Sequence, residues 1–311
     1  MRLLDLTRRR LLEAAAVAGL AGWGDAAKAE PSSLAFLAVG DWGRDGLHHQ
    51  REVAAQMGAA AAQLGVSFVV SVGDNFYPHG VKTAADPQWR SSFEEVYTAP
   101  SLQVPWWAVL GNHDHHGRVD AQIEYARKSP RWRMPALHYA MNARAPDGAS
   151  VELFFLDTTP MAAESREEGD PAVPEGRHAG QDQLTWLDQS LARSTADWKL
   201  VVGHHPVYSG GQHGDTQELI ARLAPLLERR GVQAYLNGHD HDQQDIQIGK
   251  VRYLTTGAGA KTRPSDARAG AAFNSDRPGF LAVQLDRASL RYSFWDFGGA
   301  VLHQSQIVRT A

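Results

Sequence analysis

An α/β fold is predicted by three features of the sequence. Short apolar runs stopped by glycine recur from Leu34 to Asn237, stretches of helical composition or spacing separate them, and from Phe280 onward the pattern is β alone. The first run, Leu34–Val39, is apolar without interruption and reads as a strand covered on both faces. His49–Leu64, rich in alanine and glutamine, reads as a helix. Val66–Val72 is a second buried strand. A helical stretch over Gln88–Tyr97 leads to Pro105 and a third strand, Trp106–Leu110. Val151–Asp157 is a further strand. Met161–Gly180, rich in Glu, Gly, Pro and Arg and without period, is expected to be an exposed loop and a candidate lid. Leu184, Leu187 and Leu191 recur at helical spacing and place a surface helix over Gln183–Leu191. Lys199–Val202 is a strand, Thr216–Arg230 an amphipathic helix, and Gln233–Asn237 and Val251–Thr256 are strands. Three strands close the chain, Phe280–Asp286, Leu290–Phe297 and Val301–Val308, with Gly298-Gly299 turning between the last two. Strands alternating with helices favour parallel crossovers.

A chain of 311 residues can bury a sizeable core. No repeat or low-complexity linker divides it, so 30–311 is expected to be one domain. The net charge of −4 argues for no basic, nucleic-acid-binding surface. Cysteine is absent, so there is no disulfide framework and no thiolate site, and any metal must be held by Asp, His, Asn or Tyr. At the N-terminus, Thr7-Arg8-Arg9-Arg10-Leu11-Leu12 precedes a mildly apolar run from Ala14 to Gly22, and Ala27-Lys28-Ala29 offers a small-x-small cleavage site. These parts resemble a twin-arginine export signal over 1–29. The expectation is a periplasmic or secreted protein that meets the twin-arginine machinery. The apolar run is too short to span a bilayer, and no stable membrane anchor is expected.

Five strands end in one grammar: Gly40-Asp41, Gly73-Asp74, Gly111-Asn112-His113-Asp114, Gly203-His204-His205 and Gly238-His239-Asp240-His241. The glycine lets the chain turn tightly, and a side chain able to hold a metal follows. Ligands of open α/β sheets bind beyond the carboxyl ends of the strands, so these five loop tips can meet. Oxygen and imidazole donors without thiolates suit Fe, Mn or Zn. Six or more donors are too many for one tetrahedral ion and suit two ions roughly 3.5–4 Å apart. Asp74 is central in the order and placed to bridge them; His239 and His241 can feed both. Two such ions acidify a bound water, neutralise phosphate oxygens and orient in-line attack. A nearby histidine can protonate the leaving alkoxide. The chemistry indicated is hydrolysis of small phosphate esters.

As an ordered set, the five blocks resemble the calcineurin-like metallophosphoesterase superfamily. Gly73-Asp74-Asn75-Phe76-Tyr77 looks like the purple acid phosphatase version of its block. Ala38-Val39-Gly40-Asp41-Trp42-Gly43 and Gly238-His239-Asp240-His241 are similar to the small, tartrate-resistant (mammalian-type) branch. The likeness runs from about Leu34 to the C-terminus. It implies a four-layer α/β/β/α sandwich and an acid phosphatase that attacks phosphate monoesters with a metal-bound hydroxide. It also implies that Asp41, Tyr77 and His241 bind a ferric ion, that Asn112, His204 and His239 bind a divalent Fe, Zn or Mn, and that Asp74 bridges the two. Asn112 and His113 would contact substrate, and His113 or His213 would protonate the leaving group. Met161–Gly180 falls where that branch carries a regulatory loop. The sequence departs from the branch at His205, where an aromatic residue is usual, and in lacking cysteines and Asn-x-Ser/Thr acceptors.

A lone Gly-Asp after a strand is ordinarily a turn; the ordered set carries the chemistry. His48, His49, His79, His115, His116, His138 and His178 lack the grammar and are expected at the surface or behind the ligands. Trp42, Trp106 and Trp107 are expected to pack in the core or at its rim, with Trp42 alternatively at the pocket mouth, and Asp240 reads equally as a carboxylate that orients a neighbouring imidazole or as a plain loop carboxylate. Two other functions fit the same motifs: a phosphodiesterase or nucleotidase of the superfamily, and an iron-binding, redox-active protein without physiological hydrolysis.

Overall fold

The computed structural model describes residues 33–162, 177–266, 268 and 270–309. The expected signal peptide over 1–29 lies outside them, as does most of the Met161–Gly180 loop. In chain order the elements are β1 (Leu34–Val39), α1 (Gln50–Leu64), β2 (Phe68–Ser71), β3 (Trp106–Ala108), α2 (Asn112–His115), α3 (Val119–Ala126), β4 (Trp132–Arg133), β5 (Tyr139–Arg144) and β6 (Ser150–Phe155). They continue with α4 (Arg177–Arg193), β7 (Trp198–Val202), α5 (Gln217–Arg222), α6 (Ala224–Arg229), β8 (Ala234–Asn237), β9 (Gln243–Ile248) and β10 (Val251–Thr256). Last come β11 (Ala271–Ser275), β12 (Gly279–Leu285), β13 (Ser289–Asp296) and β14 (Val301–Val308). A π-helical turn, Trp89–Glu94, stands where a helix was expected over Gln88–Tyr97.

Two seven-stranded sheets form, in the orders β14-β13-β12-β1-β2-β3-β4 and β11-β9-β10-β8-β7-β6-β5. The expected parallel crossovers are present in both sheets, and antiparallel strands added to them make both sheets mixed. β1, β2, β3 and β4 run parallel while β12 pairs antiparallel with β1; β6, β7, β8 and β10 run parallel while β5 and β9 add antiparallel edges. The reason is in the connections. Short hairpins join the C-terminal strands, and only antiparallel neighbours can be joined that way.

The layering follows from the period-2 alternation of strand side chains. On β6, Val151, Leu153 and Phe155 face the core shared by the two sheets, whereas Phe154 faces Leu184, Leu187 and Leu191 of α4. On β7, Leu200 and Val202 face inward and Val201 outward. Val53, Ala54 and Met57 of α1 cover the other sheet. The product is the four-layer α/β/β/α sandwich, with every residue of β1 and β2 buried. Trp42 is fully buried, donates to Ser71 Oγ at 2.8 Å, and packs edge-on against Phe76, Tyr97, Trp106 and Trp132; it is core, as expected.

Two boundaries differ from expectation for identifiable reasons. The single helix expected over Thr216–Arg230 is broken at Leu223, because Pro225 brings no N–H and starts a new helix near its N-terminus. α4 begins at Arg177, so Gly180 is helical and not part of the loop. No helix among the described residues is long and apolar enough to cross a membrane.

Candidate metal centre

Every residue nominated for metal binding follows the carboxyl end of a parallel strand, or lies in the loop just beyond. Asp41 follows β1, Asp74 and Tyr77 follow β2, and Asn112 opens α2 after β3; His204 follows β7, and His239 and His241 follow β8. The first four come from one sheet and the last three from the other. The two sheets meet here: His204 Nδ1 lies 2.9 Å from the Val72 carbonyl, and the Gly40 N–H donates to the Thr256 carbonyl at 2.9 Å.

All seven side chains converge, and they do so as two groups. Tyr77 Oη lies 2.7 Å from Asp74 Oδ2, 2.9 Å from Asp41 Oδ1 and 3.0 Å from His241 Nε2, and His241 Nε2 lies 3.4 Å from Asp41 Oδ1. Asn112 Oδ1 lies 3.1 Å from His239 Nδ1 and 3.2 Å from His204 Nε2; those two nitrogens are 3.3 Å apart. His204 Nε2 is 3.5 Å from Asp74 Oδ1. Donors around one ion at bond lengths of about 2.1 Å stand about 3 Å from each other, and both groups have that spacing. Asp74 belongs to both, turning one carboxylate oxygen to each. All seven residues are buried.

The backbone is bent to this purpose. Asp41 (φ 61°), Asp74 (φ 49°) and His239 (φ 70°) are left-handed, a conformation that costs a non-glycine residue roughly 1–2 kcal/mol. Gly111 allows the close approach: a Cβ there would come 2.1 Å from Asp74 Oδ1 and 2.7 Å from His204 Nε2. Gly73, at φ +96°, would place one 2.6 Å from His204 Nδ1.

Protonation states of Asp74 and His239 suit ligation, whereas at His204 burial opposes the charge but Asp74 outweighs it and raises the value to about 10, so a cation there must displace a proton. Burial opposes the charge on Asp74, but the His204 and His113 imidazoles outweigh it and hold the carboxyl below its ordinary range. Burial, with the neighbouring imidazoles, keeps His239 well below the usual histidine value and therefore neutral. Burial, with Asp41 and Asp74, pushes the Tyr77 hydroxyl well above its ordinary value, so its loss of a proton calls for a cation. His204 Nδ1 faces a backbone carbonyl, which orients Nε2 toward Asn112 and Asp74. The donor set and its spacing fit two ions.

The two other nominated histidines flank the groups. The His113 N–H donates to Asp74 Oδ1 at 2.9 Å, its Nδ1 lies 2.7 Å from the Pro78 carbonyl, and its Nε2 is 4.0 Å from Asp74 Oδ2. His213 is held by Asp240, whose Oδ1 is 2.7 Å from Nδ1 and accepts the His213 N–H at 3.0 Å; the His213 ring is 4.2 Å from that of His239. Asp240 therefore orients an imidazole, one of the two readings the sequence left open. His205 is buried behind His239, its Nδ1 3.0 Å from Thr158 Oγ1.

The family comparison settles what such a centre belongs to. The calcineurin-like phosphoesterase family profile matches residues 34–243. The chain belongs to that family. Its curated relatives include purple acid phosphatase 4 of Arabidopsis thaliana, 40% identical over 88% of this chain and 83% of that protein. Human tartrate-resistant acid phosphatase type 5 is 36% identical over 90% of this chain and 92% of the relative. Among solved structures, GAP50, described as the anchor in the inner membrane complex of Plasmodium, superposes with a TM-score of 0.79 at 25% identity over 90% of each chain. This phosphoesterase is thus a hydrolase of the metallophosphoesterase superfamily, and its purple acid phosphatase relatives imply a binuclear metal centre.

Three contacts at the phosphoesterase centre were missed in the sequence. Arg44, in Trp42-Gly43-Arg44, lays its guanidinium 3.5 Å from the centre of the Tyr77 ring. Thr158 Oγ1 accepts the N–H groups of His204 and His205 at 3.1 and 3.0 Å. His115, expected at the surface or behind the ligands, sets its Nε2 3.0 and 3.1 Å from the two oxygens of buried Asp157, clasping α2 beside one sheet to the end of β6 in the other. Burial alone would lower the His115 pKa, but Asp157 outweighs it and raises the value. A raised folded-state pKa adds stability that is fully present below the unfolded value and lost as pH rises through the folded one. Thermal melts should therefore show His115→Asn less stable by roughly 2–4 kcal/mol near pH 6, the deficit narrowing as pH rises above the ordinary histidine range. A deficit that does not change with pH would contradict this.

Proposed function

We propose that this chain is a binuclear metal-dependent acid phosphatase that hydrolyses phosphate monoesters. The observation that carries the reading is Asp74, shared by two groups of donors that each have coordination spacing. Asp41, Tyr77 and His241 would hold Fe(III), for which an anionic phenolate is a suitable hard donor; Asn112, His204 and His239 would hold a divalent Fe, Zn or Mn. The pair, when bound, supplies an acidified nucleophilic water and positive charge for the phosphate oxygens.

The chain's own residues do the rest. His113 faces the bridging carboxylate with Nε2 while its Nδ1 is tied to Pro78, so it is placed to bind the phosphate alongside Asn112. His213, held through Nδ1 by Asp240, would act as the acid toward the departing alkoxide once protonated at Nε2, the nitrogen that faces the Arg263 guanidinium here. Water, having given one proton to solvent, bonds through its oxygen to phosphorus as the P–O bond to the alcohol breaks; the proton from His213 completes the alcohol, and His213 takes another from solvent. Export through the twin-arginine machinery to a periplasmic or extracellular site, where small phosphate esters are the substrates, is part of the same reading and rests on the basic and apolar signature of residues 1–29.

The test is substrate class together with colour. p-Nitrophenyl phosphate should be hydrolysed faster than bis-p-nitrophenyl phosphate, with an acidic optimum. The purified protein should absorb in the visible through its iron phenolate, and Tyr77→Phe should abolish that band. Faster diester hydrolysis would transfer the site to the phosphodiesterases; a colourless, active wild type would remove iron from the Tyr77 group.

A further inference from the structure

One cation touches the Tyr77 group and has no part in the reading above. Arg44 lays its guanidinium 3.5 Å from the centre of the Tyr77 ring, within reach of a cation–π contact. The backbone fixes its place. The Tyr77 N–H donates to the Gly43 carbonyl at 2.8 Å, and a Cβ on Gly43 would come 1.9 Å from the Asn75 carbonyl oxygen, so the two segments lie in close contact. The Arg44 N–H donates to Gln50 Oε1 at 3.1 Å, and buried Gln50 donates in turn to the Ser92 carbonyl at 2.7 Å. Among the described residues no carboxylate pairs with the guanidinium, and its buried Nε makes no hydrogen bond. The neighbouring Asp45 carboxylate is taken up by Ser91 and Ser92. The Tyr77 ring is the partner that the structure gives this charge.

The consequence lies in where the charge sits. Tyr77 Oη meets Asp41, Asp74 and His241 at 2.9, 2.7 and 3.0 Å, so an ion held among them stands beyond the oxygen, off the edge of the ring, whereas Arg44 covers its face. The guanidinium is therefore closer to the ring than to the ion, and its attraction falls with distance. It lowers the energy of the ring's electrons more than that of the ion's vacant orbitals. We propose that Arg44 acts through Tyr77, restraining the electron donation of its phenolate to Fe(III), an inference that rests on the iron assignment proposed above. The ion then keeps more of its positive charge for water and phosphate, and it accepts an electron more readily.

The visible band of the iron-loaded protein reads this directly, because its energy is the cost of moving an electron from the ring to the ion. Arg44→Gln should move the band to longer wavelength, and reductive titration should show its ferric ion harder to reduce than that of the wild type. Arg44→Lys keeps the charge but gathers it on a compact, flexibly carried ammonium, and its band should fall between the other two. A merely structural role would not order the three bands by charge. Iron content, measured on each preparation, ensures that equal centres are compared. A band at the wild-type wavelength in Arg44→Gln with iron retained overturns the proposal and leaves Arg44 as packing on Tyr77. Should Arg44→Gln hold no iron, Arg44→Lys decides: a band at longer wavelength than the wild type supports the proposal, and an unshifted one overturns it. A wild type that holds iron without a visible band overturns the assignment of Tyr77 to iron, and the proposal with it.

Discussion

Asp74→Asn should lose activity by on the order of 10³-fold or more and should no longer retain both ions through dialysis. The amide keeps the shape of the side chain and one carbonyl oxygen. It loses the negative charge and the second oxygen, and Asp74 needs both because Oδ2 faces Tyr77 at 2.7 Å while Oδ1 faces His204 at 3.5 Å. The surrounding backbone is already strained at Asp74, with φ 49°, and asparagine tolerates that conformation well, so the fold should survive. Activity and metal content are read on the same preparation, with circular dichroism as the control for folding. A variant that keeps its full metal content and more than about a tenth of its activity would show that the two groups are held independently.

The second large effect is expected at His213. Removal of a general acid costs typically about 10²–10⁴-fold, and the cost depends on how badly the leaving group needs a proton. His213→Ala should therefore slow an alkyl ester such as glycerol 3-phosphate by about 10²-fold or more and p-nitrophenyl phosphate much less, since p-nitrophenolate departs unaided. Asp240 stands between His239 and His241 in the chain, with its Oδ1 2.7 Å from His213 Nδ1, so the imidazole is positioned and not merely present. Equal losses on both substrates would remove His213 from proton transfer. The same leaving-group dependence in His113→Ala would move the role to His113, whose Nε2 is 4.0 Å from Asp74.

The candidate metal ligands other than Tyr77, which only the resemblance of its block singled out, were legible because each lies at or just past the point where an apolar strand stops. A glycine followed by Asp, Asn or His is a local signal, and sheet geometry gathers such tips without further instruction. That Gly111 must be glycine for Asp74 and His204 to approach within 2.7 Å of its missing Cβ is the physical content of that signal. β9 was illegible for the opposite reason. Gln243, Gln244 and Asp245 are buried, and no apolar pattern marks them; Asp245 is satisfied by Tyr292 at 2.7 Å, His303 at 2.9 Å and Arg252 at 2.9 Å, all from other strands. β4, at two residues, is too short to show a period. The break at Pro225 was visible as a proline and outweighed by the surrounding leucines. Arg44, Arg263 and the His115–Asp157 clasp depend on partners distant in sequence, 42 residues apart for the clasp, which no local pattern reports.

The most direct test of the account is the metal content of the purified, folded protein, measured by elemental analysis against protein concentration. Seven buried donors in two groups joined by one carboxylate predict about two ions per chain, one of them iron. One ion per chain in fully active protein would contradict the shared-carboxylate centre, and with it the roles given to Tyr77 and His241.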